Sequence, residues 1–393
     1  MVKERYDIII YGAGAKARKL YSMISQLPIN IKAFAVSQDQ KAIGEFIEGL
    51  PVKSIADFTE HKDRTIVLIG VSEKFLPEIN EQLNNLGFEN VIPYPSNTFD
   101  LYPLIDFDFD NRQKKYKKLC IILAGYKEFL WDNVFHRLSA FMPDDVDVCV
   151  LSSGIYNPKL SELCRQNDWS YLRTHVNCVT LIQNLAIILH PNAEMIYKID
   201  EDIFITKYFF SETLNVYNKI NTDTRYYVGF VAPIIPINAY GHIRVLERLG
   251  LIETFENKFN KAKYLSNVSN QIESNPDVAK FFWGDGGFVP HLDKMAEMFY
   301  DDDIRFSICP IRFSIGAVLF SRSLWADMGG FKVIKGNPCM GVDEEQLCSY
   351  CITQSKIIAV AEKTVVGHLS FGSQNAEMKK YYLEHSDRFR LIY

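Results

Sequence analysis

Two short clusters hold the residue types and spacings that could do chemistry. The first is Asp200-Glu201-Asp202, which follows the strand-like run MIYKI and is followed in turn by Ile203-Phe204-Ile205. Two carboxylates two residues apart at a strand end are hard oxygen ligands, suited to holding Mg²⁺ or Mn²⁺ against a diphosphate. A solvated turn would need no apolar flanks, and open α/β sheets place their ligands at such strand ends. The second cluster is Gly12-Ala13-Gly14-Ala15-Lys16-Ala17, a G-x-G-x-x-A turn between a strand and a helix. Its glycines permit a tight turn and let a phosphate approach the open N–H groups of the helix, which makes Gly12, Gly14 and Ala15 candidate nucleotide contacts. The next strand, however, ends in Ser37-Gln38-Asp39 where a dinucleotide site presents one well-placed acid to the ribose. The strand–helix series also stops near residue 100, leaving no second mononucleotide half. NAD redox chemistry is disfavoured, and a structural or docking role for this segment competes with nucleotide binding.

Three further features read blandly by residue type alone. Asp343-Glu344-Glu345 is what the first turn of a helix favours for its dipole. His368 is an ordinary strand-end histidine. Cys348 and Cys351 form a C-x-x-C with no second pair elsewhere, inside a helix-like run, so packing is favoured over zinc or redox use. The eight cysteines are expected as buried free thiols. A net charge of −5 provides no basic field for nucleic acid. No apolar run approaches the ~18–20 residues of a membrane span, so a cytosolic protein is expected.

These clusters need elements to position them. At 393 residues, with 48% hydrophobic and 23% charged, the chain should fold as more than one α/β domain. Residues 1–100 alternate continuous apolar strands (YDIIIYG, IKAFAVS, TIVLIGV) with amphipathic helices, the pattern of a small Rossmann-like parallel sheet covered on both faces. Residues 101–118 read as a linker, aromatic and acidic and then basic. A second strand–helix series fills 119–393: KLCIILAG, a helix over 131–141, VDVCVLSS, a short helix over 160–166, SYLRT, a helix over 183–189, and the strand into Asp200. A helix is expected over 244–256. Order returns with the segment around Gly316, a helix over 343–354 and the strand into His368.

The second series resembles the GT-A glycosyltransferases, in which a nucleotide-sugar half ends in a D-x-D strand. The match extends to Phe313–Arg322 with Trp325 and Met328-Gly329-Gly330-Phe331, similar to the acceptor half of inverting members. It continues to Gly341-Val342-Asp343-Glu344-Glu345 and to Gly367-His368, as in the β-1,4-galactosyltransferase-like group. The N-terminal layout resembles the nucleotide-sugar-binding domain that precedes some sugar acetyltransferases. The resemblance implies a mixed sheet flanked by helices and a metal set of Asp200, Asp202 and His368 for Mn²⁺ or Mg²⁺. Asp343 is the implied base, with Glu344 the alternative one residue away.

By the same resemblance the turn Ala124-Gly125-Tyr126 contacts the nucleobase, with Tyr126 stacking on uracil, Ser152 or Ser153 near the ribose, and Asp200 and Glu201 on the donor. The galactosyltransferase group carries a tryptophan loop before its acidic helix start, and this chain has Lys335–Met340 there. Trp283 and Asp285, in the loop Trp283–Gly287, are the substitute mobile acceptor loop, with Gly316 beside it. The implied activity is transfer from a UDP-sugar to a saccharide or lipid-linked acceptor in bacterial surface polysaccharide or lipopolysaccharide assembly, with inversion. A retaining enzyme is the nearest alternative, and a nucleotide-sugar- or NAD-binding protein centred on Gly12–Ala17 the more distant one. The C-terminal YYLEHSDRFRLIY is expected to pack, the alternative being peripheral contact with the inner membrane face.

Overall fold

Runs such as DIIIY and TIVLI have no polar face, which is why they become interior strands of a sheet buried on both sides. The computed structural model describes residues 6–95, 97–265 and 270–392. The chain divides into two units, 1–108 with 174–176 and 333–338, and 109–173 with 177–332 and 339–393.

The first unit comprises β1 (Asp7–Tyr11), α1 (Ala15–Ile24), β2 (Ile31–Val36), β3 (Phe46–Ile47), β4 (Leu50–Ser54), β5 (Thr65–Ile69), α2 (Leu76–Leu86) and β6 (Val91–Ile92). The sheet order is β3-β4-β2-β1-β5-β6. Every pairing is parallel except the β3–β4 hairpin. One core gathers Ile9, Tyr11, Ala35, Val67 and Ile69 beneath Ile79 and Leu83 of α2. Helix α1 buries Ala17, Leu20 and Ile24, the single stripe that its spacing dictates. The helix approaches β5 so closely that a Cβ on Gly70 would lie 2.7 Å from the Ala17 Cα.

The second unit contains β7 (Phe107–Asp110, in which the division falls), β8 (Lys118–Leu123), α3 (Trp131–Phe141), β9 (Val146–Ser153), α4 (Pro158–Gln166), β10 (Ser170–Thr174), α5 (Val179–Leu189), β11 (Met195–Asp200), β12 (Ile203–Phe204), α6 (Phe209–Asp223) and β13 (Tyr227–Ile234). It continues with α7 (Gly241–Leu249), α8 (Ile252–Lys258), α9 (Gln271–Ser274), α10 (Pro276–Phe282), α11 (Leu292–Phe299), β14 (Phe306–Ile308), β15 (Ala317–Ser321), α12 (Arg322–Asp327), α13 (Val342–Thr353), β16 (Lys356–Val365), β17 (Gly367–His368) and α14 (Asn375–Glu384). The sheet runs β14-β16-β13-β15-β11-β8-β9-β10-β7. Strand β8 is parallel to both β9 and β11, and β15 enters antiparallel between β11 and β13. Both units are α/β, with parallel-sheet regions flanked by helices.

One expectation changes, at the helix over 244–256, and two other segments gain detail. The segment expected as a linker, 101–118, holds regular elements: the 3₁₀ helix Thr98–Leu104 runs into it and Phe107–Asp110 is a strand. The alternation Phe-Asp-Phe-Asp is a period-2 pattern whose phenylalanines are half-buried while its aspartates are exposed. The helix expected over 244–256 is two helices, because Gly250 turns left-handed (φ 67°) and caps α7. In the C-terminal segment Tyr381, Tyr382 and Phe389 are buried, which is packing rather than a membrane-facing surface; Tyr393 lies outside the described residues. Among the described residues no helix is long and apolar enough to cross a membrane. All eight cysteines are buried and free, Cys348 and Cys351 on the inner face of α13.

Candidate active site

Strand β11 delivers Asp200 at its last position, paired with Leu123 of β8, and the Asp200 N–H donates to the Gly316 carbonyl at 2.8 Å. Gly316 packs closely here, since a Cβ would meet the tip of the Ile203 side chain at 2.8 Å and have to displace it. Beyond Asp200 the chain turns, and β12 pairs antiparallel with β17, setting Ile203 opposite His368. The Leu369 N–H donates to the Asp202 carbonyl at 3.0 Å. This two-residue ribbon brings the buried Asp202 and the partly buried His368 side chains together, with Nε2 of His368 3.4 Å from Oδ2 of Asp202. Burial alone would raise the Asp202 carboxyl, but His368 and Lys127 outweigh it and hold the group well below the usual carboxylate range.

Each carboxylate of the pair also has a lysine. Lys198 Nζ lies 2.7 Å from Asp200 Oδ1 and donates to the Ile315 carbonyl at 2.9 Å. Lys127 Nζ lies 2.5 Å from Asp202 Oδ2. Burial would lower the Lys198 pKa, yet Asp200, Asp343 and Glu344 around it hold it above its ordinary value. Burial pushes Asp200 up to about 6, with Lys198 opposing and Asp202 and Asp343 adding to the rise. Neither lysine was singled out in the sequence. Lys198 had a signal, because it interrupts an apolar strand two residues before Asp200 and therefore faces the same side.

Helix α13 starts after Gly341, whose φ of 76° turns the chain into the helix and presents the acids of the first turn. Asp343 is buried and its Oδ2 accepts from Gln183 Nε2 at 2.9 Å. Glu344 is occupied: Oε1 pairs with Arg312 Nε at 2.9 Å and Oε2 accepts from the Ile315 N–H at 3.3 Å. Burial raises its pKa, with Arg312 opposing. Glu345 is exposed. The start of α13 therefore faces the strand end that carries Asp200, and Lys198 lies in the field of both.

Several expected contacts are placed otherwise. Glu201 turns away from the cleft: its Oε2 accepts from the Gly125 N–H at 2.9 Å and Trp131 Nε1 at 2.8 Å, and its Oε1 from the Tyr126 N–H at 3.0 Å. The middle acid thus braces the turn after β8, and its oxygens are spent on protein donors. Ser152 Oγ donates to the buried Ala124 carbonyl at 3.0 Å, and Ser153 Oγ accepts from the Cys178 N–H at 2.7 Å, both hydroxyls being buried. Tyr126 is 60% exposed and its hydroxyl donates to the Ser153 carbonyl at 2.8 Å, which fixes an open ring face. Trp283 is not on a mobile loop. It follows α10, is buried, donates from Nε1 to the His368 carbonyl at 3.0 Å, and packs 4.4 Å from the Phe389 ring. Asp285 is half-buried in the glycine turn that follows, and the exposed aromatic of that loop is Phe288.

The expected three-ligand metal set is not gathered. Among the described residues no three His, Cys, Asp or Glu side chains converge to hold an ion. Asp200 and Asp202 are each engaged by a lysine, and Asp202 also has His368 beside it, an anionic oxygen and an imidazole nitrogen 3.4 Å apart that are spaced like two ligands of one cation. That pair fits a divalent ion of the kind that takes only one or two protein ligands and completes its shell with substrate phosphates and water.

In the first unit Gly12 (φ 121°) turns the chain into α1, which has no side-chain N-cap at Gly14, so the N–H groups beginning at Ala15 are open. The end of the neighbouring strand is closed by a hydrogen-bonded cluster in which the Ser37 and Tyr11 hydroxyls lie 2.7 Å apart and 3.1 and 2.7 Å from the accepting Gln82 Oε1, their two protons shared among the three contacts.

Comparison with known proteins adds little to this geometry. A family model described as C2185-like, N-terminal, matches residues 4–92. No curated protein matches the chain in sequence. Among solved structures, the mannosyltransferase PcManGT from Pyrobaculum calidifontis, in complex with GDP-Man and Mn²⁺, is 12% identical over 72% of this chain and 67% of its own, with a TM-score of 0.36. Aspartate semialdehyde dehydrogenase II from Vibrio cholerae, complexed with ASA, is 9% identical over 89% of this chain and 99% of its own, with a TM-score of 0.19. Likeness this distant carries no functional argument.

Proposed function

We propose that the second unit is a glycosyltransferase that moves a sugar from a nucleoside-diphosphate donor to an acceptor hydroxyl with inversion. The observation that carries the reading is the meeting of two acid-bearing elements at the end of a central strand: Asp200 closing β11 and Asp343 opening α13, both in the field of Lys198, with Asp202 and His368 beside them.

Asp343 is the base. It takes the proton from the acceptor hydroxyl as that oxygen attacks the anomeric carbon, and Gln183 fixes which carboxylate oxygen is held and which is free. Glu344 is committed to Arg312 and the Ile315 N–H, which makes it a poorer base and a brace for the helix start. The Tyr126 face is a platform for the donor base, held by the turn that Glu201 braces. Asp202 and His368 would hold Mn²⁺ or Mg²⁺, which when bound supplies positive charge to the departing diphosphate. The donor class by resemblance is a UDP-sugar and the acceptor a saccharide or lipid-linked glycan.

The test is a donor-panel assay with UDP- and GDP-sugars in Mn²⁺ and in EDTA, scored by release of the nucleoside diphosphate, with product anomeric configuration read by NMR. Turnover of at least one donor with inversion is expected. Retention would move the acids at 343–345 to acceptor binding, and no turnover or nucleotide binding by the folded protein would overturn the reading.

A further inference from the structure

Asp202 Oδ2 is claimed from two sides. His368 Nε2 faces it at 3.4 Å, and the Lys127 ammonium approaches the same oxygen at 2.5 Å. The lysine has a second acceptor, Asn375 Oδ1 at 3.3 Å, at the first turn of α14. Asp202 is 7% exposed and Lys127 24%, so the lysine covers the carboxylate from the open side of the cleft. Its backbone belongs to the turn after β8, where the preceding N–H groups of Gly125 and Tyr126 are pinned by Glu201. The root of the side chain is therefore fixed, while its four-carbon stem leaves the ammonium free to swing. An ammonium and a divalent cation cannot share one carboxylate oxygen without strong repulsion in a partly dry cleft.

We propose, resting on the glycosyltransferase reading, that Lys127 is an internal counter-ion of the donor site. It neutralises Asp202 while no nucleotide is bound and passes to the donor diphosphate when a nucleotide–metal complex enters. The charge count favours this exchange. Adding a dication alone would leave Lys127 beside it unpaired, whereas a dication with a diphosphate supplies anionic oxygens for the displaced ammonium. The free cation is consequently bound weakly, and nucleotide and cation enter together. Lys127 is then a diphosphate contact, absent from the implied donor set because its only sequence mark is a basic residue after the Ala-Gly-Tyr turn.

The experiment titrates the full chain with Mn²⁺ alone, followed by electron paramagnetic resonance of the free ion, and with UDP and GDP in the presence and absence of Mn²⁺ by calorimetry. Wild type, Lys127→Met and Lys127→Arg are compared, with circular dichroism verifying that each is folded. In Lys127→Met, Mn²⁺ alone should bind about tenfold more tightly and the Mn²⁺–nucleotide complex about tenfold more weakly, a shift of opposite sign that loss of structure cannot produce. Lys127→Arg, which keeps the charge, should stay near wild type in both titrations. Unchanged Mn²⁺ affinity in Lys127→Met, with wild type still binding the Mn²⁺–nucleotide complex, overturns this proposal alone. Failure of the folded wild type to bind any nucleotide with or without Mn²⁺ overturns the glycosyltransferase reading and this proposal with it.

Discussion

Glu201 offers the sharpest test of how the acidic triplet is built. Three N–H groups, from Gly125, Tyr126 and Trp131 Nε1, donate to its carboxylate at 2.9, 3.0 and 2.8 Å. Truncation to alanine leaves the Gly125 and Trp131 donors buried without an acceptor, at about 1–3 kcal/mol each, while the part-buried Tyr126 N–H regains water. Glu201→Ala should therefore cost about 2–6 kcal/mol. Glu201→Gln keeps one oxygen for the two donors that share Oε2 and turns its amide NH₂ against Tyr126, a loss of about 1–2 kcal/mol. The assay is urea unfolding followed by far-ultraviolet circular dichroism and tryptophan fluorescence, reading the transition of the second unit, since two units need not unfold together. A stability for Glu201→Ala within about 0.5 kcal/mol of wild type, with nucleotide binding lost, would refute the reasoning and return Glu201 to the ligand.

Three further outcomes are expected. Asp343→Asn should lower kcat by a hundredfold or more while nucleotide affinity, read by calorimetry, stays within about twofold, as for loss of a general base. Phe389→Ala removes a fully buried ring packed against Trp283 and Tyr382 and should cost about 3–5 kcal/mol in thermal unfolding of the second unit. Burial pushes the pKa of His242 down to about 4, below its unfolded value near 6.5. The folded state thus favours the neutral ring, and this contribution is complete above about pH 6.5 and lost as pH falls towards 4. Up to about 3 kcal/mol should disappear across that window, and His242→Gln should flatten this part of the stability–pH curve.

Strands with no polar face were legible, because nothing but a doubly covered sheet can bury them: VDVCVLSS and SYLRT occupy their expected bounds as β9 and β10. The break at Gly250 was not read, since both flanking segments keep a helical pattern and only the left-handed φ separates them. At the site, the positions of Asp200 and Asp343 followed from a strand end and a helix start, which are local features. Which way each acid points did not, because Glu201 is turned inward by donors on residues 125, 126 and 131, and that pairing is tertiary. Lys127 left no mark for the same reason, since it meets Asp202 only in space, whereas Lys198 shares β11 with Asp200 and its i, i+2 spacing was a legible signal.

The ribbon formed by β12 and β17 also sets an order of assembly. Asp202 precedes His368 by more than a hundred and fifty residues, and the imidazole is held against it by segments between and beside them: the Ile237 carbonyl faces its Nδ1 at 3.3 Å, Trp283 Nε1 donates to its carbonyl and Ile203 pairs with it. Contacts so far apart in sequence form late and slowly. A nascent or C-terminally shortened chain can complete β11 and its acidic end, but it exposes the carboxylate without its imidazole neighbour.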